Sequence, residues 1–358
     1  MFNFGNNSDK EIVQVSAGLD IGTYSIKVLQ VKKDLNQLYL ETYGELEMAA
    51  YNSLPPGSVT NIGEEKTVTA IRDLFLASKI TATKIVFSIS MQDCFLSSIS
   101  IPKVSDKELA TLIPIEARKY LPVQVSEVKL SYWRTDIGDK NLGKEDTVII
   151  VAVKNEIFQK YSNLSQKLGF KDFTFEIESL SGARTILRQI KEDIPMIHVD
   201  IGGRLSFVTF IHNRMVKASN IIQKGSFDNT SQISKILGVS IDVAEEAKRI
   251  FGYLGDNSSP HLAEIMTLAS YPLFDDIKHL LLQHERKYNV NIEKVVLSGG
   301  GGLQKGVKKL LSEFLDKEVI LVDAFADFVL PSNMREALSS EDGKYTIAAG
   351  LAMKNLSN

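Results

Sequence analysis

The sequence predicts an α/β protein of two lobes built from duplicated halves, with a small α+β unit inserted into the first. Three observations carry that expectation. The triplet Asp-Ile-Gly occurs at Asp20-Ile21-Gly22 and again at Asp200-Ile201-Gly202. Each copy lies between two short apolar runs, which reads as strand, tight turn, strand, made twice. A third apolar run, Lys294 to Leu297, leads through Ser298-Gly299-Gly300-Gly301-Gly302 into an amphipathic pattern.

In the first half, Val15 to Leu19 and Ile26 to Val31 flank the first turn, and Gln37 to Met48 alternates as a third strand. Tyr51 to Gly63, with Pro55-Pro56-Gly57, reads as a loop. From Glu65 to Ser78, the residues Val68, Ile71, Leu74 and Phe75 recur at helical spacing, and Ile85 to Ile89 is a strand.

The segment from about Cys94 to Lys171 reads as the insertion. It opens with a strand, Phe95 to Ile99, and a helix capped by Asp106 that carries Leu109, Leu112, Ile113, Ala117 and Tyr120. Pro114 should kink that helix or mark a late start. Strands Val128 to Thr135 and Thr147 to Val153 follow, joined by the polar loop Gly138 to Asp146. A helix from Glu156 to Leu168 is closed by Gly169.

The chain returns with a strand, Phe173 to Ile177, and a helix carrying Leu180, Ala183, Leu187 and Ile190. The second half has strands Leu205–Ile211 and Arg214–Ser219, helices Ser231–Leu237 and Val243–Phe251, and a loop from Asp256 to Pro260. A long helical stretch then runs through Tyr288. After the glycine run a helix starts near Leu303, with Val307, Leu310, Leu311 and Phe314 on one face. A strand at Val319 to Val322 and a helix from Thr346 to Lys354 complete the order. The expected division is residues 1–93, 172–195 and 345–358 for the first lobe, 94–171 for the insertion and 196–344 for the second lobe.

Composition bounds the function. The 358 residues carry a net charge of −3, which argues against nucleic acid as the main partner. Cys94 is the only cysteine, so no internal disulfide forms and a reducing compartment is expected. Residues 1–12 lack the build of a signal peptide, and no apolar run approaches the ~20 residues of a membrane helix. His279 and His284 are five apart on a helical pattern, off a common face, which argues against zinc.

The repeated turns suggest chemistry. A glycine lets the backbone come close to a ligand, and successive N–H groups can point at an anion. The carboxylates of Asp20 and Asp200, each ending a strand, are placed to hold a divalent cation through water. Two facing hairpins then clamp a nucleoside triphosphate with Mg²⁺. In the first turn Thr23 and Ser25 carry hydroxyls, and Lys27 is either a charge on phosphate or a solvated strand lysine. In the second, Gly203 and Ser206 can contact phosphate, and Arg204 either reaches it or points to solvent. Glu245, Lys248 and Arg249 lie on one helical turn, and from the residues alone they read as a surface ion pair.

The three motifs, in this order and separation, resemble the actin-like (ribonuclease H-like) ATPase superfamily: two phosphate hairpins and an adenosine glycine turn. The insertion resembles the subdomain of the FtsA cell-division family and of the PilM family of type IV pilus assembly. The stretches Gly18 to Lys27, Ile115 to Pro122, Ile177 to Ser179 with Ala183-Arg184, Lys235 to Gly238 with Ala244 to Arg249, Leu297 to Gly301, and Ala348 to Ala352 resemble the PilM family specifically. Tyr24, Arg204 and Leu205 stand where small or polar residues are usual. The FtsA family continues into a linker and an amphipathic membrane helix, and this sequence stops at Asn358 without one.

The resemblance implies ATP and Mg²⁺ as cofactors. It implies Asp20 and Asp200 as water-bridged metal holders, and Gly22, Thr23, Tyr24, Ser25 and Lys27 as one phosphate cradle. Gly202, Gly203 and Ser206 would be the other. Glu245 and Lys248 would touch ribose, which reverses the surface-pair reading, and Gly299, Gly300 and Gly301 would back the adenosine. Glu178 is the candidate for positioning an attacking water, in what is at most a slow ATPase. The implied role is a cytoplasmic scaffold recruited to the inner face of the membrane by the N-terminal tail of a PilN-like membrane protein. Contacts with other pilus assembly proteins and self-association are expected as well, without direct membrane insertion. The rivals are a small-molecule kinase of the same superfamily and an FtsA-like filament former.

Overall fold

A computed structural model describes residues 14–121, 123–134, 145–254, 260–338 and 340–356. The polar loop expected over 138–146 lies mostly outside these residues, as do 1–12, Pro122 and most of the loop expected at 256–260.

The first lobe starts with three antiparallel strands, β1 (Gln14–Ile21), β2 (Ser25–Asp34) and β3 (Gln37–Glu47). Helix α1 (Glu64–Ala77) and strand β4 (Lys84–Ile89) follow. The inserted unit contains β5 (Cys94–Pro102), α2 (Asp106–Ala117), β6 (Val128–Arg134), β7 (Glu145–Lys154) and α3 (Asn155–Leu168). The chain returns through β8 (Asp172–Ile177) and α4 (Glu178–Gln189). The second lobe contains β9 (Met196–Ile201), β10 (Ser206–His212), β11 (Met215–Ile222), α5 (Ser226–Leu237), α6 (Ile241–Phe251) and α7 (Pro260–Tyr288). It continues with β12 (Lys294–Ser298), α8 (Gly299–Gly302), α9 (Val307–Leu315) and β13 (Glu318–Leu321). The last elements are β14 (Phe328–Val329), α10 (Ser332–Leu338) and α11 (Thr346–Lys354).

The duplication is visible in the sheets. The first runs β14-β3-β2-β1-β4-β8 and the second β11-β10-β9-β12-β13. Leaving β14 aside, both have three antiparallel strands followed by two parallel ones in the same spatial order. Even the turns match. The Gly22 N–H bonds the Ser25 carbonyl at 3.0 Å, and the Gly202 N–H bonds the Leu205 carbonyl at 3.0 Å. The insertion makes its own sheet, β5-β7-β6, and joins the first lobe's core through Ile149 and Val151 of β7 and Tyr161 of α3.

Several expectations need correction. Ser105, not Asp106, caps α2: its hydroxyl accepts the Glu108 N–H, and the Glu108 carboxylate accepts the Ser105 N–H, a reciprocal capping box. Pro114 sits inside α2 and marks no late start. The glycine run is itself one helical turn, α8, and the amphipathic helix begins only at Val307, after a turn at Gly306 with φ of 87°. The reason is steric. A Cβ at Gly299 or Gly301 would lie 2.5 or 2.3 Å from atoms of Ile201, so the turn packs directly on β9. Helix α5 starts five residues earlier than expected, at Ser226, and Pro260 opens α7. Strand β14 and helix α10 were not expected.

Helix α11 positions the site. Its small residues let it slide between β1 and α4. A Cβ on Gly18 would fall 2.2 Å from the Ala348 carbonyl, and one on Gly350 would fall 1.9 Å from that of Ser181. Arg184 on α4 pairs with Glu176 and donates to the Gly350 carbonyl at 2.8 Å. This close contact fixes α4, whose first residue is Glu178.

Candidate functional site

Register assembles the charged groups. Asp20 at the end of β1 lies directly opposite Lys27 on β2, and Lys27 lies opposite Glu45 on β3. Opposed residues share a face, so the three form one charged row across the sheet. Lys27 Nζ is 3.7 Å from Glu45 and donates to the Ser25 hydroxyl at 2.9 Å. That hydroxyl donates to Glu45 at 2.7 Å, and Lys344 closes the cluster, 2.6 Å from Glu45. In the second lobe the residue opposite Asp200 is Phe207. Lys27 is thus the cation that offsets both aspartates.

The carboxylates of the two lobes act on one another electrostatically across the seam. Burial raises the Asp20 carboxyl above the ordinary aspartate range, although Lys27 and a hydrogen bond from Ser88 oppose the rise. Burial likewise pushes Asp200 up to about 6 despite a bond from Ser298. Glu178 sits well above its ordinary range, because of burial first and then the nearby negative charges of Asp20 and Asp200. Its carboxylate accepts the Met91 N–H at 2.9 Å. Three buried acidic groups with raised proton affinity, Glu178 and Asp200 raised in part by neighbouring carboxylates, mark a seam short of positive charge. Among the described residues, no three His, Cys, Asp or Glu side chains are grouped to ligate a metal directly.

The other sequence-selected residues divide into two sets. Ser25 and Ser206 are buried with their hydroxyls already bonded, Ser206 to the Lys224 carbonyl at 2.8 Å. Gly22, Thr23, Tyr24, Gly202 and Gly203 form the facing turns. A Cβ on Gly203 would lie 2.9 Å from Tyr24 Cβ, so the turns nearly touch. Arg204 is exposed. The turn at Gly202-Gly203 is held by the start of α5, whose Ser226 and Phe227 N–H groups donate to the two glycine carbonyls.

Glu245 and Lys248 are not the surface pair that their spacing suggests. Their side chains are 8% and 4% exposed and 2.7 Å apart, and both bond Thr230. Arg249 extends this cluster across the seam. It reaches Glu245 at 3.2 Å, Glu47 at 2.7 Å and the Tyr24 hydroxyl, with its guanidinium 5.6 Å above the Tyr24 ring. Tyr24 in turn donates to Glu47 at 2.8 Å. Tyr24 therefore occupies the seam as one half of a latch between the lobes.

Beside the glycine turn the second lobe holds a cavity of about 210 Å³ between α5, α7 and α8. It is below the roughly 300 Å³ of a site for a drug-sized molecule and suits one flat base-sized group. Gly301 forms part of its wall. Gln304, also on the wall, has a buried side-chain oxygen without a partner. Gly299 lies on the other side of that turn, against Asp200, and Gly300 is exposed. Sequence reasoning missed His198, the role of the Ser298 hydroxyl, Arg249's role and, apart from Gly301, the cavity wall. Only His198 left a local trace, since it precedes Asp200 by two on a strand and shares its face.

Comparisons agree with this architecture. The PilM–PilN type IV pilus biogenesis complex superposes with a TM-score of 0.82 at 20% identity, covering 96% of this chain and 99% of that one. MreB5 of Spiroplasma citri bound to AMPPNP gives 0.54 at 13% identity, covering 96% of each chain. Cell division protein FtsA of Neisseria meningitidis serogroup B (strain ATCC BAA-335 / MC58) is 23% identical over 345 residues, 84% of this chain and 82% of the relative. The fold is thus actin-like. A family model described as type IV pilus assembly protein PilM matches residues 18–356, nearly the whole chain. The chain belongs to the PilM family of type IV pilus assembly proteins.

Proposed function

We propose that this PilM-family chain is an ATP-binding scaffold that couples nucleotide at its seam to capture of a membrane partner's cytoplasmic tail. The observation that carries the reading is the convergence of Asp20 and Glu178 from one lobe with Asp200 from the other. Three oxygen-rich groups with raised proton affinity suit a hard divalent cation held partly through water. Mg²⁺ bound there with ATP would offset phosphate charge. Asp20 and Asp200 would hold the hydrated ion, and the N–H groups of the turns at Gly22–Ser25 and Gly202–Gly203 would meet phosphate oxygens. Lys27 would share its charge between Glu45 and phosphate. The cavity beside Gly301 would take the base. Glu245 and Lys248 would reach ribose from the next helix by giving up part of their mutual pairing. Glu178 would orient a water, with hydrolysis slow or incidental.

The nucleotide analogue in the similar MreB5 structure supports this cofactor. The similar PilM–PilN complex supports a PilN-like inner-membrane protein as partner, bound through its N-terminal tail. No helix among the described residues is long and apolar enough to cross a membrane, and recruitment to the cytoplasmic face through the partner fits that. Other pilus assembly proteins, and further copies of the chain, are the remaining partners on this reading. The kinase and filament alternatives are not favoured by the family match. ATP would favour the closed arrangement only to the extent that it binds that state more tightly.

Two measurements test the proposal. Fluorescent ATP should bind in Mg²⁺ and should bind at least tenfold more weakly to Asp200→Ala. Pull-down with a PilN-type N-terminal peptide should change between Mg·ATP and EDTA. Equal ATP affinity in the variant removes Asp200 from the site, and peptide capture indifferent to nucleotide removes the coupling.

A further inference from the structure

One buried polar chain in the second lobe has no place in the phosphate or base contacts. His198 is wholly buried and lies two residues before Asp200 on β9, so both side chains leave the same face of the strand. Ser298 ends β12, in register with Asp200. Its hydroxyl donates to Asp200 Oδ2 at 2.6 Å and lies 2.6 Å from His198 Nε2. The direction of each bond follows from counting protons. An ionised carboxylate only accepts, and a serine hydroxyl has one hydrogen, which goes to Asp200. His198 Nε2 must then carry a hydrogen and donate it to the serine oxygen. That makes Nδ1 the bare nitrogen of a neutral ring. Nδ1 is indeed buried and without a partner.

What surrounds the ring explains why it is there. A Cβ at Gly182 would fall 2.6 Å from His198 Cε1 and 3.1 Å from Ile347 Cδ1. Helix α4, which starts at Glu178, therefore rests its glycine face on the imidazole. Phe207 meets the ring edge-on, with centroids 5.5 Å apart. The imidazole is clamped between the α4 helix of one lobe and the β9 and β10 strands of the other, and it holds Ser298, which holds Asp200.

We propose that His198 and Ser298 are positioning residues that hold the Asp200 carboxylate in the orientation needed to receive a hydrated divalent cation. The inference rests on the Mg·ATP reading of the seam. Hydrogen-bonded partners behind a metal-holding group set its rotamer and basicity, and their loss commonly weakens metal binding about 10–100-fold. A fixed carboxylate loses less rotational freedom when the ion arrives.

The test has a ligand-free and a ligand-bound readout. In metal-free protein at pH 8, where Asp200 is ionised, ¹⁵N spectra of the imidazole should show the Nε2–H tautomer, and Ser298→Ala should shift the Nε2 resonance. A ring protonated on Nδ1 alone overturns the bond direction and with it the proposal. In the second readout, Mg²⁺ is titrated at saturating ATP. Ser298→Ala should raise the half-saturating Mg²⁺ concentration about tenfold, and nucleotide affinity in EDTA should stay within about twofold. A residue acting only on folding would weaken both conditions alike, and that outcome overturns the positioning role. If Ser298→Ala does not fold, His198→Gln and His198→Leu supply the same comparison. Glutamine keeps a donor near the Nε2 position and should keep near-normal Mg²⁺ dependence, whereas leucine should not. Wild-type protein that ignores Mg·ATP altogether refutes the seam reading itself. Wild-type binding with an unchanged Ser298→Ala refutes only this inference.

Discussion

Asparagine at position 200 should stabilise the metal-free protein while weakening its hold on Mg·ATP. Aspartate titrates near 3.8 in an unfolded chain, and burial carries Asp200 to about 6. The folded state therefore keeps a proton that the unfolded chain releases. Stability falls as pH rises from about 4 to 6, and the loss is complete above 6. At about 1.4 kcal/mol per pH unit the cost approaches about 3 kcal/mol. Asp200 is only part-buried at the seam, so solvent reduces this to about 1–3 kcal/mol. Asp200→Asn removes the charge and still offers an oxygen to the Ser298 hydroxyl, so little is lost in return. Urea unfolding in EDTA should show the variant more stable by that amount at pH 8 and equal to wild type near pH 4. With excess Mg·ATP the order should reverse, since the ligand stabilises wild type in proportion to its tighter binding. Equal stability at pH 8 in EDTA would show that Asp200 carries no uncompensated charge, and the argument from the seam's acidity would fail.

Two glycines separate steric from conformational cost. Gly350→Ala places a methyl 1.9 Å from the Ser181 carbonyl and should cost about 1–3 kcal/mol or more through displacement of α11. Gly169→Ala meets open space, but its φ of 85° is left-handed, so about 1 kcal/mol is expected. Equal urea midpoints for either variant and wild type would contradict the respective reasoning. Arg249→Ala removes half-exposed pairings between the lobes worth about 1 kcal/mol. Small-angle scattering without nucleotide should then show a larger radius of gyration, and superimposable curves would sink the latch. Burial holds His284 at about 4, with the adjacent Lys287 charge adding to the effect. The unfolded chain takes up a proton below pH 6.5 that the folded chain refuses, so stability is lost as pH falls from 6.5 to 4. His284→Phe should lessen that loss, and an identical acid profile would count against it.

The sequence is most legible where local geometry alone decides the outcome. The helix Thr346–Lys354 and the cap at Gly169 occur as expected, because period and a left-handed glycine are properties of a few adjacent residues. The Asp-Ile-Gly hairpins are likewise local, and their repetition suggested the duplication that the two sheets display in their matching strand order. The misplacement of the α2 cap by one residue reflects a choice between neighbouring Ser105 and Asp106 that only the capping-box geometry decides. The glycine run was misread for a different reason. Its helical turn depends on Ile201, far away in the chain.

The sequence by itself determined most of the elements and the repeated acidic turns, because apolar periodicity and turn residues specify backbone geometry within a few residues. Tertiary structure alone decided which groups confront one another. It buried Glu245 and Lys248, set Tyr24 against Arg249 across the seam and committed the Ser25 and Ser206 hydroxyls to the scaffold. It also joined His198, Ser298 and Asp200 into one chain. Those contacts depend on strand register and helix packing between residues up to about two hundred positions apart, and no local pattern encodes a register.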